Sequence, residues 1–274
     1  MNALDPFWYV YFTILIVYGG ACIGSFLNVC IHRIPRDESI IHPGSRCPHC
    51  QQAIAWYDNL PLISYLVLRG RCRACGTRIS PRYWWVEALT ALCFYGVWHY
   101  YGWSPATPVY LLFFFGLILA TFVDLEHMII PDRVSLGGMV IGLALSAAWP
   151  PLHDETTVGP ALISSGIGLV AGAGSLWLVA VIGRMIFKKD AMGLGDVKLL
   201  GAIGAFTGWQ GVLFTVMISS LAGSLVGVSF IIGGRHEWQS RIPYGPYLAL
   251  AAACWVLWGH GWWDAYIQWL SVGV

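Results

Sequence analysis

Charge is scarce in this sequence. Asp, Glu, Lys and Arg make up 11% of the 274 residues, against about 25% in soluble domains, while 57% of the residues are hydrophobic. Water is therefore not the main solvent of the fold. Strong net charge is also missing: a balance of +1 gives no electrostatic reason to expect nucleic acid or an acidic surface as partner. The His-Glu-x-x-His arrangement that a membrane zinc protease needs on a helix is absent, because the only His-Glu pair, His236-Glu237, is followed by Ser240 where the second histidine would stand. No serine pairs evidently with His127 or His236, and no Gly-x-Gly-x-x-G fingerprint marks a dinucleotide or methyl-donor pocket.

Long apolar runs are what the chain has in their place. A spanning helix needs roughly 20 apolar residues, and the runs predict an all-α polytopic membrane protein of about eight transmembrane helices, near 7–30, 83–101, 108–130, 133–149, 159–187, 197–208, 211–233 and 246–270. The sixth is short for a full crossing. The first run has no basic residue before it and no small-residue cleavage site after it, so it reads as a retained helix rather than a signal peptide. Three regions follow: 1–31 as the first helix, 32–82 as a polar module, and 83–274 as the membrane core.

Placed in alternation, the spans put segments 32–82, 124–133, 184–198 and 234–245 on one side, and all 15 Lys and Arg residues fall there. Asp5, Asp154, Glu155 and Asp264 lie on the other. By the positive-inside rule the arginine-bearing side is cytoplasmic and the N-terminus is outside. Trp84, Trp85, Tyr100 and Trp103 sit at span ends, where amphipathic rings favour the headgroup level.

The polar module carries Cys47-Pro48-His49-Cys50 and Cys72-Arg73-Ala74-Cys75. Two such turns can bring four thiolates to tetrahedral distance, which suits Zn²⁺, and a segment this small gains its folding energy from the metal. Four protein ligands close the coordination shell, so the zinc is expected to be structural. Two disulfides are the alternative, disfavoured in a reducing cytosol; His49 replacing one cysteine is another. Cys22, Cys30, Cys93 and Cys254 lie in or beside apolar runs and read as packing residues.

An ionised side chain at membrane depth costs at least about 2.5–3.5 kcal/mol, so acids beside apolar spans are functional candidates. Asp124 ends the third span and Asp196 opens the sixth, at the same depth on the same side. If folding brings the carboxyls to about 4 Å, their repulsion is roughly 4 kcal/mol at an effective dielectric near 20, and the pair then holds a single proton, the state that activates water for peptide hydrolysis. Gly193 and Gly195 lack side chains and would let an extended backbone approach Asp196. Asp132, after Pro131, reads as a helix N-cap, Lys198 as a balance to local acidic charge, and Glu87 as a partner of Arg82 or a snorkelling group. A proton-coupled transporter would place its acids nearer mid-bilayer among broken, repeated helices, and a docking scaffold would need only the zinc module.

At these residues the sequence resembles the type IV prepilin peptidases, a family of Gly-x-Gly-Asp membrane aspartyl proteases. The resemblance runs through Gly24-Ser-Phe-Leu-Asn-Val29, Arg33-Ile-Pro35, the paired cysteine turns, Asp124 to Asp132, Met192-Gly-Leu-Gly-Asp196-Val-Lys198 and Ile242-Pro-Tyr-Gly-Pro-Tyr-Leu-Ala-Leu250. It implies a bacterial inner-membrane enzyme that cleaves the basic leader from type IV prepilins or type II secretion pseudopilins at the cytoplasmic face, with Asp124 and Asp196 as the catalytic pair. It also implies N-methylation of the new N-terminus from S-adenosylmethionine, for which Asn28 and Arg33 are candidates.

Overall fold

The computed structural model describes residues 5–188, 192–233 and 243–272. Among them the α-helices are α1 (Pro6–Arg33), α2 (Ile63–Val67), α3 (Arg82–Tyr101), α4 (Ala106–His127), α5 (Asp132–Ala148), α6 (Val158–Phe187), α7 (Leu194–Ile232), α8 (Gly245–Cys254) and α9 (His260–Val272), the last two joined by a π-helical turn at Trp255–Gly259. Extended structure among the described residues is limited to two isolated antiparallel bridges. The basic residues Lys189, Arg235 and Arg241, and the His236-Glu237 pair, lie outside the described residues.

Among the described residues four helical stretches are long and apolar enough to cross a bilayer: Pro6–Arg36, Ala106–His127, Val158–Ile186 and Leu194–Phe230. The expected count of about eight is not reached on that criterion. α5 has only 17 residues, and α3 carries Arg82, Glu87 and His99. The sixth and seventh predicted runs form one 39-residue helix, α7, broken only at Gly208.

The chain divides into two compact units, 1–119 and 120–274. In the first, α1 lies against α3 at glycines: a Cβ on Gly20 would come within 3.0 Å of the Ala91 Cα, and one on Gly24 within 2.6 Å of the Glu87 Cα. Small residues of this kind let membrane helices approach closely and gain dispersion contact. Asn28, buried in α1, donates Nδ2 to the Tyr83 carbonyl at 3.0 Å. Arg33 donates to the Ser39 and Pro43 carbonyls at 2.8 and 2.6 Å, clamping the loop that follows α1.

Two equivalent turns build the polar module of this unit. In one, Cys47 N–H donates to the Gln52 carbonyl at 3.0 Å and Arg46 bridges Ala53; in the other, Cys72 N–H donates to the Thr77 carbonyl at 2.9 Å and Arg71 bridges Arg78. Arg73 gives two N–H groups to Asp58, at 2.7 and 2.6 Å, a bond that holds the Asp58 carboxyl below its ordinary range. Glu87, expected to partner Arg82 or to snorkel, accepts the Leu62 N–H on its Oε2 at 2.7 Å. Leu62 has φ +62 and ψ −48, with Ile63 N–H bonded to the Pro61 carbonyl at 2.6 Å. This is the rarer, strained γ-turn, and the buried carboxylate holds it.

In the second unit α6 and the first half of α7 meet backbone to backbone, where Gly168 faces Gly204 and Gly172 faces Leu200 so closely that no Cβ would fit. α5 packs on the same half of α7, with Gly142 against Ala205. The break at Gly208 (φ 69, ψ −177) is a conformation essentially confined to glycine. Three residues earlier the Ala205 carbonyl accepts the fully buried Ser165 hydroxyl at 2.7 Å, which satisfies an acceptor near the interrupted turn.

Candidate active site

Asp124 lies in the last turn of α4 and is 5% exposed. Its Oδ2 accepts the backbone N–H of Gly245 at 2.9 Å, the first residue of α8. A helix N-terminus leaves its first N–H groups without intrahelical acceptors, so α8 presents a donor and the positive end of its dipole to the carboxylate. Only glycine allows this approach: a Cβ on residue 245 would stand 2.8 Å from Oδ2. Tyr244 anchors the start of α8, its hydroxyl lying 2.8 Å from Ser219 Oγ and 3.3 Å from Ser220 Oγ on α7.

Asp196 sits in the first turn of α7, its N–H donating to the Gly193 carbonyl at 3.2 Å. One of its carboxyl oxygens, Oδ1, is buried without a hydrogen-bond partner among the described residues. A buried oxygen of this kind is costly unless water or substrate completes its shell. Ile130 connects the two acids: it would be 3.1 Å from a Cβ on Gly195 and 3.3 Å from one on Gly245. The two acids, 72 residues apart in sequence, are therefore brought to one locus around Ile130.

The other expected site residues fall around this locus. Gly193 is exposed, and the side-chain space it leaves borders Asp196 Oδ2 at 3.1 Å; that of Gly195 is taken by Ile130. The N-cap of α5 is Pro131, not Asp132, because Asp132 is already the first helical residue. Its carboxylate accepts Lys198 Nζ at 2.6 Å, so the lysine two residues beyond Asp196 neutralises Asp132. Sequence reasoning assigned no role to Gly245 or to His127. His127 has a buried Nε2 without a partner among the described residues, and its spacing of three from Asp124 puts both on one face of α4.

The metal candidates form their own cluster in the first unit. The sulfurs of Cys47, Cys50, Cys72 and Cys75 lie within 4.8 Å of one another, with Cys47 and Cys75 at 3.9 Å, and none is in a disulfide. Tetrahedral zinc with bonds near 2.3 Å requires sulfurs about 3.8 Å apart, so the donor set fits. The Thr77 hydroxyl and N–H pull the Cys75 thiol down to about 6, and the backbone N–H groups of Cys50 and His49 lower Cys47. Both effects favour the thiolate that a metal binds. His49 is not part of the cluster. Asn28 and Arg33 hold the backbone around the first helix, and Asn28 Oδ1 is buried without a partner among the described residues.

Comparison with known proteins finds relatives over nearly the whole chain. Residues 18–101 match the bacterial peptidase A24 N-terminal domain, and residues 111–228 match the type IV leader peptidase family. A prepilin leader peptidase/N-methyltransferase of Aeromonas hydrophila is 36% identical, over 95% of this chain and 94% of its own. Proteins of that name are 37% identical in Myxococcus xanthus, over 89% of this chain and 72% of the relative, and 33% identical in Pseudomonas aeruginosa, over 97% and 96%. No solved structure matches.

Proposed function

We propose, since the chain belongs to the family of prepilin leader peptidase/N-methyltransferases, that Asp124 and Asp196 are its peptidase dyad. The chain is a membrane endopeptidase that is also an N-methyltransferase; its substrates are prepilins or pseudopilins with a short basic leader. The observation that supports the dyad is that Gly245, whose N–H holds the buried Asp124, and Gly195, which precedes Asp196, both pack on Ile130, beside an Asp196 oxygen with no partner among the described residues.

The chemistry follows from one shared proton. The ionised carboxylate takes a proton from a water molecule as its oxygen attacks the scissile carbonyl, and the protonated carboxyl gives its proton to the carbonyl oxygen. As the C–N bond of the gem-diol intermediate breaks, the first carboxyl protonates the leaving amine and the second takes a proton back from a gem-diol hydroxyl, so the pair again holds one proton. Gly245 fixes Asp124 so that one oxygen remains directed to the reaction, and exposed Gly193 leaves room for the substrate backbone.

Placement at the cytoplasmic face follows from the one-sided Lys and Arg distribution, with the N-terminus periplasmic. A precursor keeps its basic leader in the cytosol and its apolar helix in lipid, which brings the scissile bond to the depth of the acids. A 39-residue helix is roughly 58 Å long at 1.5 Å per residue, about twice the 30 Å hydrocarbon core. Read as two crossings that meet at Gly208, the first of them short, α7 joins α1, α3, α4, α5, α6 and the α8–α9 pair in the expected count of about eight. The four cysteines would hold a structural zinc, which supplies folding energy rather than a reaction step. S-adenosylmethionine is the methyl donor expected of the family, with Asn28 and Arg33 as candidate residues in the methyl-transfer region.

Incubation of the purified protein with a prepilin, followed by mass spectrometry, tests this reading. The product should lack the leader and, only when S-adenosylmethionine is present, carry one added methyl group. An intact precursor under both conditions would reject it.

A further inference from the structure

Beside the second cysteine turn the first unit has an open cleft of about 540 Å³ whose lining includes Tyr65, Arg69, Arg71, Arg78, Ser80 and Pro81. No acidic residue lines it, and none of the three arginines has a carboxylate partner among the described residues. Arg71 and Arg78 face each other across the antiparallel bridge, a placement of like charges that is destabilising by itself. The equivalent bridge of the first turn sets Arg46 opposite Ala53 and avoids that repulsion. Elsewhere in the module Arg73 is paired through two bonds to Asp58. The unpaired cluster is thus local to the cleft.

The backbone holds these cations in place. Arg69 and Gly70 both have positive φ (50 and 63) and end α2, with Gly70 N–H donating to the Tyr65 carbonyl at 2.8 Å and Ile79 N–H to the Gly70 carbonyl at 2.7 Å. The Tyr65 ring stands against Gly70, where a Cβ would meet its hydroxyl at 2.8 Å. Ser80 Oγ accepts the Arg82 N–H at 3.3 Å, which leaves the Ser80 hydroxyl proton available to a ligand.

We propose that this cleft binds a phosphate-bearing anion, the headgroup of an acidic phospholipid. Arginine forks match phosphate oxygens in bidentate geometry, and a phosphate between Arg71 and Arg78 turns their repulsion into attraction. The lipid source is argued from position: Pro81 lines the cleft and Arg82 opens α3, whose next residues, Tyr83, Trp84 and Trp85, are of the aromatic kind that favours the headgroup level. The inference rests on reading α3 as a span; thiol labelling of Ser80→Cys in intact and opened vesicles tests that placement separately.

The full-length protein in nanodiscs of phosphatidylcholine with a minority of phosphatidylglycerol provides the test, with native mass spectrometry counting lipid retained on the released protein. Wild type should retain phosphatidylglycerol against the excess of phosphatidylcholine. Arg78→Gln should retain about tenfold less, the loss of one charge-assisted contact, while Arg46→Gln, with the same charge removed outside the cleft, retains the wild-type amount. Zinc content measured on each variant verifies that the module is folded. In a parallel arm, inorganic phosphate is titrated into lipid-free protein in neutral detergent; binding abolished by Arg78→Gln supports the anion site and makes a soluble phosphate its source. No preference for phosphatidylglycerol together with no phosphate binding overturns the proposal, as does an equal loss in Arg46→Gln.

Discussion

Gly245 donates its N–H to a carboxylate 121 residues earlier in the chain, and its missing side chain is what permits the contact. Asp124 and Asp196 were legible in the sequence because acids beside apolar runs are expensive and stand out. Gly245 was not, since a backbone donor carries no side-chain signature and the sequence contains 32 glycines. Asp132 was misplaced by one position for a related reason: Pro131 sets the helix boundary through its fixed φ, and Asp132 is then free to meet Lys198. Gly245→Ala should reduce leader cleavage about 100-fold, the usual effect of displacing a reacting group by about 1 Å, while the variant stays inserted and still methylates a precleaved substrate. Cleavage kinetics at wild-type level would show that the Asp124–Gly245 contact has no catalytic weight.

The helices themselves were largely legible from hydropathy. The predicted runs at 133–149 and 159–187 agree with α5 and α6 to within a residue or two. Continuity across α7 was not legible, because the break is confined to the backbone angles of one residue, Gly208. Hydropathy registers apolar side chains and is blind to a change in φ and ψ that leaves them in place. The first half of α7 carries Asp196, and the break fixes the direction in which that half runs. Gly208→Ala should cost about 1–3 kcal/mol, the cost of holding a side chain in this backbone region, and should lower both the thermal midpoint in detergent and the cleavage rate. An unchanged midpoint would mean that the break relaxes without consequence.

Over the whole molecule the candidate chemistry is divided between the two compact units. The thiol cluster, Asn28 and Arg33 belong to residues 1–119, and the two aspartates to 120–274. The paired cysteine turns were readable because metal-ligand spacing is local in sequence. The γ-turn at Leu62 and its hold by Glu87 were not, because they depend on a contact across 25 residues. A structural zinc contributes about 10–16 kcal/mol to folding of a small module. Cys72→Ser, or chelation of the wild-type protein, should therefore abolish methyl transfer while leader removal persists, when both are read on one precursor by mass spectrometry; equal loss of the two activities in a folded variant would contradict that division. The most direct measurement of the central claim is the initial rate of leader removal by inserted Asp124→Asn and Asp196→Asn, each beside wild type. A single remaining carboxyl can neither share a proton nor serve both ends of the hydrolysis, so both variants should be inactive, and cleavage near the wild-type rate by either one would contradict the account.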